Sequence, residues 1–402
     1  MNKIGITGPV SIKGLSEYFD EPGEEIPDFH GAMSVTHLIK GLIKLGYDVS
    51  VYALHTDIYD KVFSGEKLKI YIGKTRLRAR YRMLDLFKEE AQQITQFILD
   101  DKPDIVNAHW SYEFALGTIR SNYPHLITFR DAAFEIFKHN PDIYRAFRFL
   151  LDRKVRNSGE HFNVNSYYLQ KKLSGFRKDM PIIPNPLNEE YIADLPKKHP
   201  KGPIKLLSIL TGFSHRKNAK TAILAFQKLK QKLRTDITYT LFGSGFESEG
   251  DAFKWAEQNN LLDGLEFKGS INHSELMQEI SKYDILFHPS LEESFGNTLI
   301  EGMSRGLPVL AGKDSGAVPW VLKHGENGIL VDVTSIEAIV DGLTSLIQDV
   351  NLYENLSAKG ISYAHEFSST NIAAKYIELY EQILSANNIK TNKRLKSLDP
   401  FL

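Results

Sequence analysis

Short apolar runs alternate with longer stretches of helical spacing along almost the whole chain. KIGIT (3–7), DVSVYA (48–53), DIVNAH (104–109), HLITF (125–129) and HFNVN (161–165) have the length and composition of buried strands. Between the first two, Val35, Leu38, Ile39, Leu42 and Ile43 recur at helical spacing and stop at Gly46, a residue suited to a helix C-terminus. That order predicts a βαβ unit. A Pro- and Lys-rich passage, PIIPNPLNEEYIADLPKKHPKGP (181–203), interrupts the pattern and reads as a linker. IKLLSIL, ITYTLF, LEF, DILFH, LPVLAG and GILV then restart the alternation, with helical segments such as NAKTAILAFQKLKQKL and HSELMQEISKY between them. The last strong helical pattern, 369–386, is expected to pack back on the first domain. The predicted class is α/β, with domains at 1–185 and 186–368 and a closing helix and tail at 369–402. Two open parallel sheets of this kind are expected to face each other across a cleft, with ligands at the carboxyl ends of the strands.

Composition narrows the chemistry. A chain of 402 residues, 42% of them hydrophobic, can fill two cores. Lys plus Arg (49) nearly balances Asp plus Glu (50), so no global field draws nucleic acid and a charged partner must be met by a local patch. The absence of cysteine removes disulfides, thiolate metal sites, iron–sulfur clusters and cysteine nucleophiles. The start, MNKIGITGPVSIKGLSEYFDEPGEE, lacks the order of a secretory signal, and no run approaches the roughly 20 apolar residues that span a bilayer. A cytoplasmic protein is expected.

The stretch HPSLEESFGNTLIEGMSRGLPVLAG (288–312) carries the candidate chemistry. A buried strand ends at Pro289 and Ser290, and a helix resumes near Gly296 with Leu299, Ile300 and Met303 on one side. A helix that starts directly after a strand's carboxyl end offers backbone N–H groups and a positive dipole end, a site for phosphate. Glu293 precedes the helix and Glu301 lies about a turn and a half inside it. Carboxylates repel phosphate, so these two are suited to accept hydrogen bonds from hydroxyls on either side of a diphosphate, a sugar on one side and a ribose on the other. Two glutamates at this spacing are ordinarily solvated; the Pro-Ser, Phe-Gly and Gly-x-Pro punctuation argues for a site.

This segment resembles the family 4 retaining glycosyltransferases of GT-B fold, bacterial surface-polysaccharide type, whose E-x7-E motif is matched by Glu293 to Glu301 in EESFGNTLIE. The resemblance extends to HGAMSVTHLIKGLIKLGYDVSVYAL, IIPNPLNEEY, LFGSG, FKGS, GLPVLAG and GENGILVD. It implies transfer of a sugar from a nucleoside diphosphate sugar to a hydroxyl of a glycan or lipid-linked acceptor in cell-surface polysaccharide synthesis. The nucleotide sugar is a co-substrate, and no further cofactor is implied. Glu301 is expected to bind the ribose and Glu293 the donor sugar, with Ser294, Phe295, Gly296, Asn297 and Thr298 around the sugar and diphosphate. Lys217, in HRKNAKTAILAF, matches the lysine that neutralises the leaving diphosphate. Where the family often has an arginine five residues earlier, this chain has Gly212, and Arg216 is the available second cation.

Gly243 borders the nucleotide in the resembling family, and Ser270 lies near the base. LFGSG lacks the third glycine of a dinucleotide fingerprint, which weakens a dehydrogenase reading. In the first domain, His109 at a strand's carboxyl end is either a structural hydrogen-bonder or, as the resemblance implies, a neighbour of donor sugar and acceptor. Asp131 either orients an acceptor hydroxyl or caps the next helix, and Gly31 falls on the acceptor side. SGAVPWVL departs from the family's pattern at Ser315, Gly316, Pro319 and Trp320, and Trp320 reads first as core packing.

No D-x-D follows an apolar strand, so metal-independent transfer is expected, with retention implied by the resemblance alone. Two basic segments, EKLKIYIGKTRLRARYR (66–82, taken as extended) and YRAFRFLLDRKVR (144–156, helical), can meet a lipid diphosphate, an anionic membrane surface or plain solvent. The rival readings are a nucleotide-sugar epimerase, a two-lobed sugar-binding protein and a PLP-dependent phosphorylase, for which no lysine context matches.

Overall fold

A computed structural model of the chain describes residues 1–20, 31–139, 141–233 and 236–398. The acidic residues at 21–25, His30 of the HGAMS stretch and the last four residues of the tail lie outside them. The chain divides into two compact units, Met1–Pro186 with Ser369–Leu402, and Leu187–Ser368.

The first unit is built on a seven-stranded sheet of β1 (Lys3–Thr7), β2 (Asp48–His55), β3 (Lys61–Ser64), β4 (Leu68–Lys74), β5 (Ile105–His109), β6 (His125–Phe129) and β7 (Phe162–Val164). Its order is β3-β4-β2-β1-β5-β6-β7, parallel throughout except for the antiparallel edge pair β3–β4. The inner strands are buried on both faces, as expected where helices cover both. The helix Met33–Lys44 puts Val35, Leu38, Ile39 and Leu42 into one core with Ile372, Ala373, Tyr376 and Tyr380 of the long helix Ser369–Leu398. Tyr380 also accepts a hydrogen bond from Asn107 Nδ2 at 2.8 Å, so the closing helix is stitched to the strand that carries His109.

The pattern-based reading is corrected at one edge. Residues 66–82 are not one extended segment: β4 ends at Lys74, and a short helix, Ala79–Leu84, follows. Arg76 breaks the alternation, since its guanidinium pairs with Asp85 (2.8 Å) and Glu90 (2.6 Å) and fixes the turn between strand and helix. The second basic segment is helical, within Ile143–Ser158, and Asp142 caps it by accepting from the Arg145 amide at 2.7 Å.

The second unit holds β8 (Ile204–Ile209), β9 (Ile237–Phe242), β10 (Leu265–Gly269), β11 (Ile285–His288), β12 (Val309–Gly312) and β13 (Ile329–Val331). All six are parallel, in the order β10-β9-β8-β11-β12-β13. This is the doubly wound order in which the chain reverses direction between β8 and β11, and the first unit has the same reversal between β1 and β5. Loops leaving the carboxyl ends of those two strand pairs diverge, and that divergence opens room for a ligand. Among the described residues no helix is long and apolar enough to cross a membrane.

Candidate active site

The loops after β8 and β11 bring the predicted donor residues together. Lys217 ends a short 3-10 turn, His215–Lys217, directly before the helix Ala219–Lys232. Glu293 sits five residues beyond the end of β11. Their side chains meet, with Lys217 Nζ donating to Glu293 Oε1 at 2.6 Å. Both groups are largely removed from water, at 10% and 14% side-chain exposure, so this is an internal ion pair, not a solvated surface one. Arg216 joins them: its guanidinium donates to the Glu292 carbonyl at 2.9 Å and lies 3.9 Å from the Glu293 carboxylate. Neighbouring residues on the 3-10 turn thus supply two cations to one carboxylate, while Gly212 takes a left-handed turn (φ +86°).

His288, the last residue of β11, completes the cluster. Its Nε2 is 3.5 Å from Glu293 Oε1, and its Nδ1 lies 3.2 Å from the Thr298 hydroxyl. Burial alone would raise the Glu293 carboxyl; hydrogen bonding from His288 and the Lys217 charge overcome it and hold the group well below the usual carboxylate range. Glu293 is therefore an anion at every ordinary pH. Its backbone is equally constrained, because Ala317 N donates to the Glu293 carbonyl at 2.9 Å and Gly316 pairs with Glu293 in an isolated parallel bridge. Gly316 has φ +67°, and a Cβ there would stand 2.4 Å from the Glu293 carbonyl oxygen, so only glycine fits against this loop.

The second carboxylate lies on the helix Asn297–Ser304, which starts from Gly296 in a left-handed conformation (φ +94°). Its Leu299, Ile300 and Met303 enter the core, and Gly306 (φ +75°) turns the chain towards β12. Glu301 is 7% exposed and its Oε1 is 2.9 Å from His273 Nε2, so a ring from the helix His273–Ile280 holds it in place. Phe295 faces inward and packs edge-on against Trp320 (6.1 Å) and Phe367 (6.0 Å), which makes Trp320 a packing residue. Gly243 (φ +118°) follows β9, and its N–H donates to the Gly269 carbonyl at 2.7 Å; Ser270, after β10, is exposed.

In the first unit His109 is fully buried at the end of β5. Arg130 Nη2 (3.0 Å) and Nε (3.2 Å) both point at its Nδ1. Guanidinium nitrogens only donate, so Nδ1 accepts and the ring proton is on Nε2, a buried N–H with no protein acceptor among the described residues. Burial, and then the Arg130 charge, push the imidazole well below its ordinary value and keep it neutral. Arg130 is itself buried and donates to the Asn185 side chain. Asp131 accepts from the Tyr112 hydroxyl at 2.9 Å, and its burial lifts the carboxyl to about 6. Gly31 lies against the Val10–Ser11 backbone beyond β1.

Reasoning from sequence missed His288, His273 and Arg130. His288 carried the signal used for His109, a histidine at a strand's carboxyl end. The others carried none, because their partners are far away in sequence.

Two family profiles match the chain, "Glycosyltransferase Family 4" over residues 31–191 and "Glycosyl transferases group 1" over 193–363. The chain belongs to the family 4-type glycosyltransferases of GT-B fold. It is similar to D-inositol 3-phosphate glycosyltransferase of Corynebacterium glutamicum, at 30% identity over 36% of this chain and 35% of that protein. The chain thus spans only about a third of that relative's length in the match. Its fold is similar to that of sucrose-phosphate synthase from Thermosynechococcus elongatus, with TM-score 0.75 and 19% identity over 96% of this chain and 100% of that one. It is also similar to Anabaena HepE in complex with UDP and glucose, with TM-score 0.69 and 15% identity over 95% and 100% of the two chains.

Proposed function

We propose that this glycosyltransferase moves a hexosyl group from a nucleoside diphosphate sugar to a hydroxyl of a glycan or lipid-linked acceptor, with retention of configuration and without a metal ion, in cell-surface polysaccharide synthesis at the cytoplasmic face. The observation that carries this reading is the cluster of Lys217, Arg216, His288 and Glu293 at the reversal point of the second sheet, with Glu301 nearby on the next helix. HepE, of the same fold, is described with UDP and glucose bound, which supports a nucleotide-sugar donor.

In this scheme Lys217 and Arg216 take up the charge that develops on the diphosphate as the bond from the anomeric carbon to the phosphate oxygen breaks. The start of the helix at Asn297 adds N–H donors for the same group. Glu301 accepts from the ribose hydroxyls and Glu293 from hydroxyls of the donor sugar. The acceptor oxygen bonds to the anomeric carbon on the face the diphosphate leaves, and its proton passes to the departing phosphate oxygen. Glu293 is held by Lys217, with Arg216 at 3.9 Å and His288 at 3.5 Å, and works as a positioning anion; that tie disfavours it as a covalent nucleophile. His109, with its proton fixed on Nε2, donates a hydrogen bond and does not act as a base.

Peripheral attachment to an anionic membrane is supported by exposed Leu77, Leu84, Ile143 and Leu150 beside the arginines of the helices Ala79–Leu84 and Ile143–Ser158. Flotation with anionic and with neutral liposomes at low salt checks it, and equal absence from both sinks it. For the chemistry, transfer to a hydroxyl acceptor is followed in EDTA with the anomer of the product read by NMR. Full activity and a retained anomer are expected. A strict need for a divalent cation, or an inverted product, contradicts the scheme.

A further inference from the structure

At the carboxyl ends of β1, β2, β4 and β5 the first unit has a half-open pocket of about 270 Å³. One wall is aromatic, formed by Trp110 and Tyr112. Trp110 takes φ +67°, a left-handed backbone that a bulky side chain adopts only where its surroundings impose it. The polar wall holds Thr75, Glu113, Arg148 and Arg82. Arg148 is already committed: it donates to Glu113 at 2.8 Å, and its guanidinium carbon lies 3.4 Å from the centre of the Tyr112 ring. Arg82 is not. Its guanidinium carbon lies 5.8 Å from the centre of the Phe87 ring, but its Nε is buried without a hydrogen-bond partner, and no carboxylate pairs with it among the described residues. The acids closest to it in sequence, Asp85 and Glu90, are held by Arg76.

The cavity is therefore net cationic, two guanidinium groups against one carboxylate, with an unused planar fork of donors beside a flat aromatic face. A guanidinium in that setting matches the paired oxygens of a phosphate or a carboxylate. The volume lies just under the usual range for small-molecule sites, about 300–1,000 Å³, so the pocket itself holds about one ring-sized group. We propose that this cavity is an acceptor subsite for an oxyanion: the terminal unit of the acceptor carries a phosphate or carboxylate that Arg82 grips while Trp110 and Tyr112 hold the adjoining ring. The inference rests on the transferase reading and names its acceptor class. It also explains why two basic segments far apart in sequence, 66–82 and 144–156, each send one arginine to the same place.

The test is calorimetric titration of the full chain with glucose 6-phosphate, glucuronate and glucose, and with phosphatidylcholine vesicles with and without phosphatidic acid. Wild type is compared with Arg82→Gln and Arg82→Lys. Arg82 is the informative position because its loss strands no carboxylate or hydrogen-bond partner, whereas Arg148 packs on Tyr112 and neutralises Glu113. A charged probe is expected to bind at least tenfold more tightly than its uncharged counterpart, with that preference lost in Arg82→Gln and partly kept in Arg82→Lys. Preference among the soluble sugars assigns the anion to the sugar, and preference among the vesicles alone assigns it to a lipid phosphate. Equal binding of charged and neutral probes, no binding of any probe, or a preference that survives Arg82→Gln overturns the inference. Titration of the same preparations with UDP, GDP and ADP separates the two readings. Nucleotide binding without a charge preference removes only the acceptor subsite, and a charge preference without nucleotide binding removes only the transferase scheme.

Discussion

Glu293 is the residue on which most of the second unit's site chemistry converges. Removing Lys217 leaves it buried without its nearest cation, so Lys217→Met is expected to destabilise the second unit by about 3–5 kcal/mol. The double variant Lys217→Met with Glu293→Gln should recover much of that loss, as read by chemical denaturation. Because the folded carboxyl lies below its unfolded value, its stabilisation is present above the ordinary carboxylate range and is lost only as pH falls through the depressed value. Glu293 therefore adds no slope to stability between neutral pH and pH ~5. Asp131 has the opposite sign. Its carboxyl is lifted from 3.8 to about 6, so between those values the folded protein holds a proton that the unfolded chain has lost, and stability falls as pH rises through that window. Asp131→Asn is expected to flatten that segment of the Tm–pH curve and to raise Tm above it; an unchanged slope shows that Asp131 is not the group responsible.

At the level of elements, the loop 313–317 constrains Glu293, because Gly316 and Ala317 hold its backbone. Gly316→Ala needs the two segments to part, and a displacement of about 1 Å at a positioned group costs on the order of 10²-fold in rate. The expected result is a loss in kcat with nucleotide affinity little changed, since Glu301 stands on a different element. Sequence pattern revealed the parallel strands that bury both faces, since continuous runs such as IKLLSI and HLITF have no other economical placement. It missed β3, because KVFS is mostly exposed at a sheet edge and lacks the apolar signal. It misread 66–82, because the stop after β4 is made by an ion-pair turn around Arg76 and not by Gly or Pro. The site was legible to the same depth. Glu293, Glu301 and Lys217 sit in local motifs, whereas His273 reaches Glu301 and Arg130 reaches His109 only through tertiary packing.

On the scale of the whole molecule, the chain returns to its starting unit for its final helix. Ile372, Ala373, Tyr376 and Tyr380 belong to the same core as Val35, Leu38 and Leu42. A chain ended after Ser368 is expected to lose cooperative unfolding of the first unit while the second still binds nucleotide, seen as one thermal transition surviving out of two. The central claim is that the second unit holds a nucleoside diphosphate between cations and two fixed carboxylates without a metal. The most direct measurement is calorimetric binding of UDP, GDP and ADP in EDTA to the wild type and to Glu301→Ala. One nucleotide should bind the wild type, and the variant should bind it at least tenfold more weakly. No binding of any of the three, or equal binding by the variant, contradicts the claim.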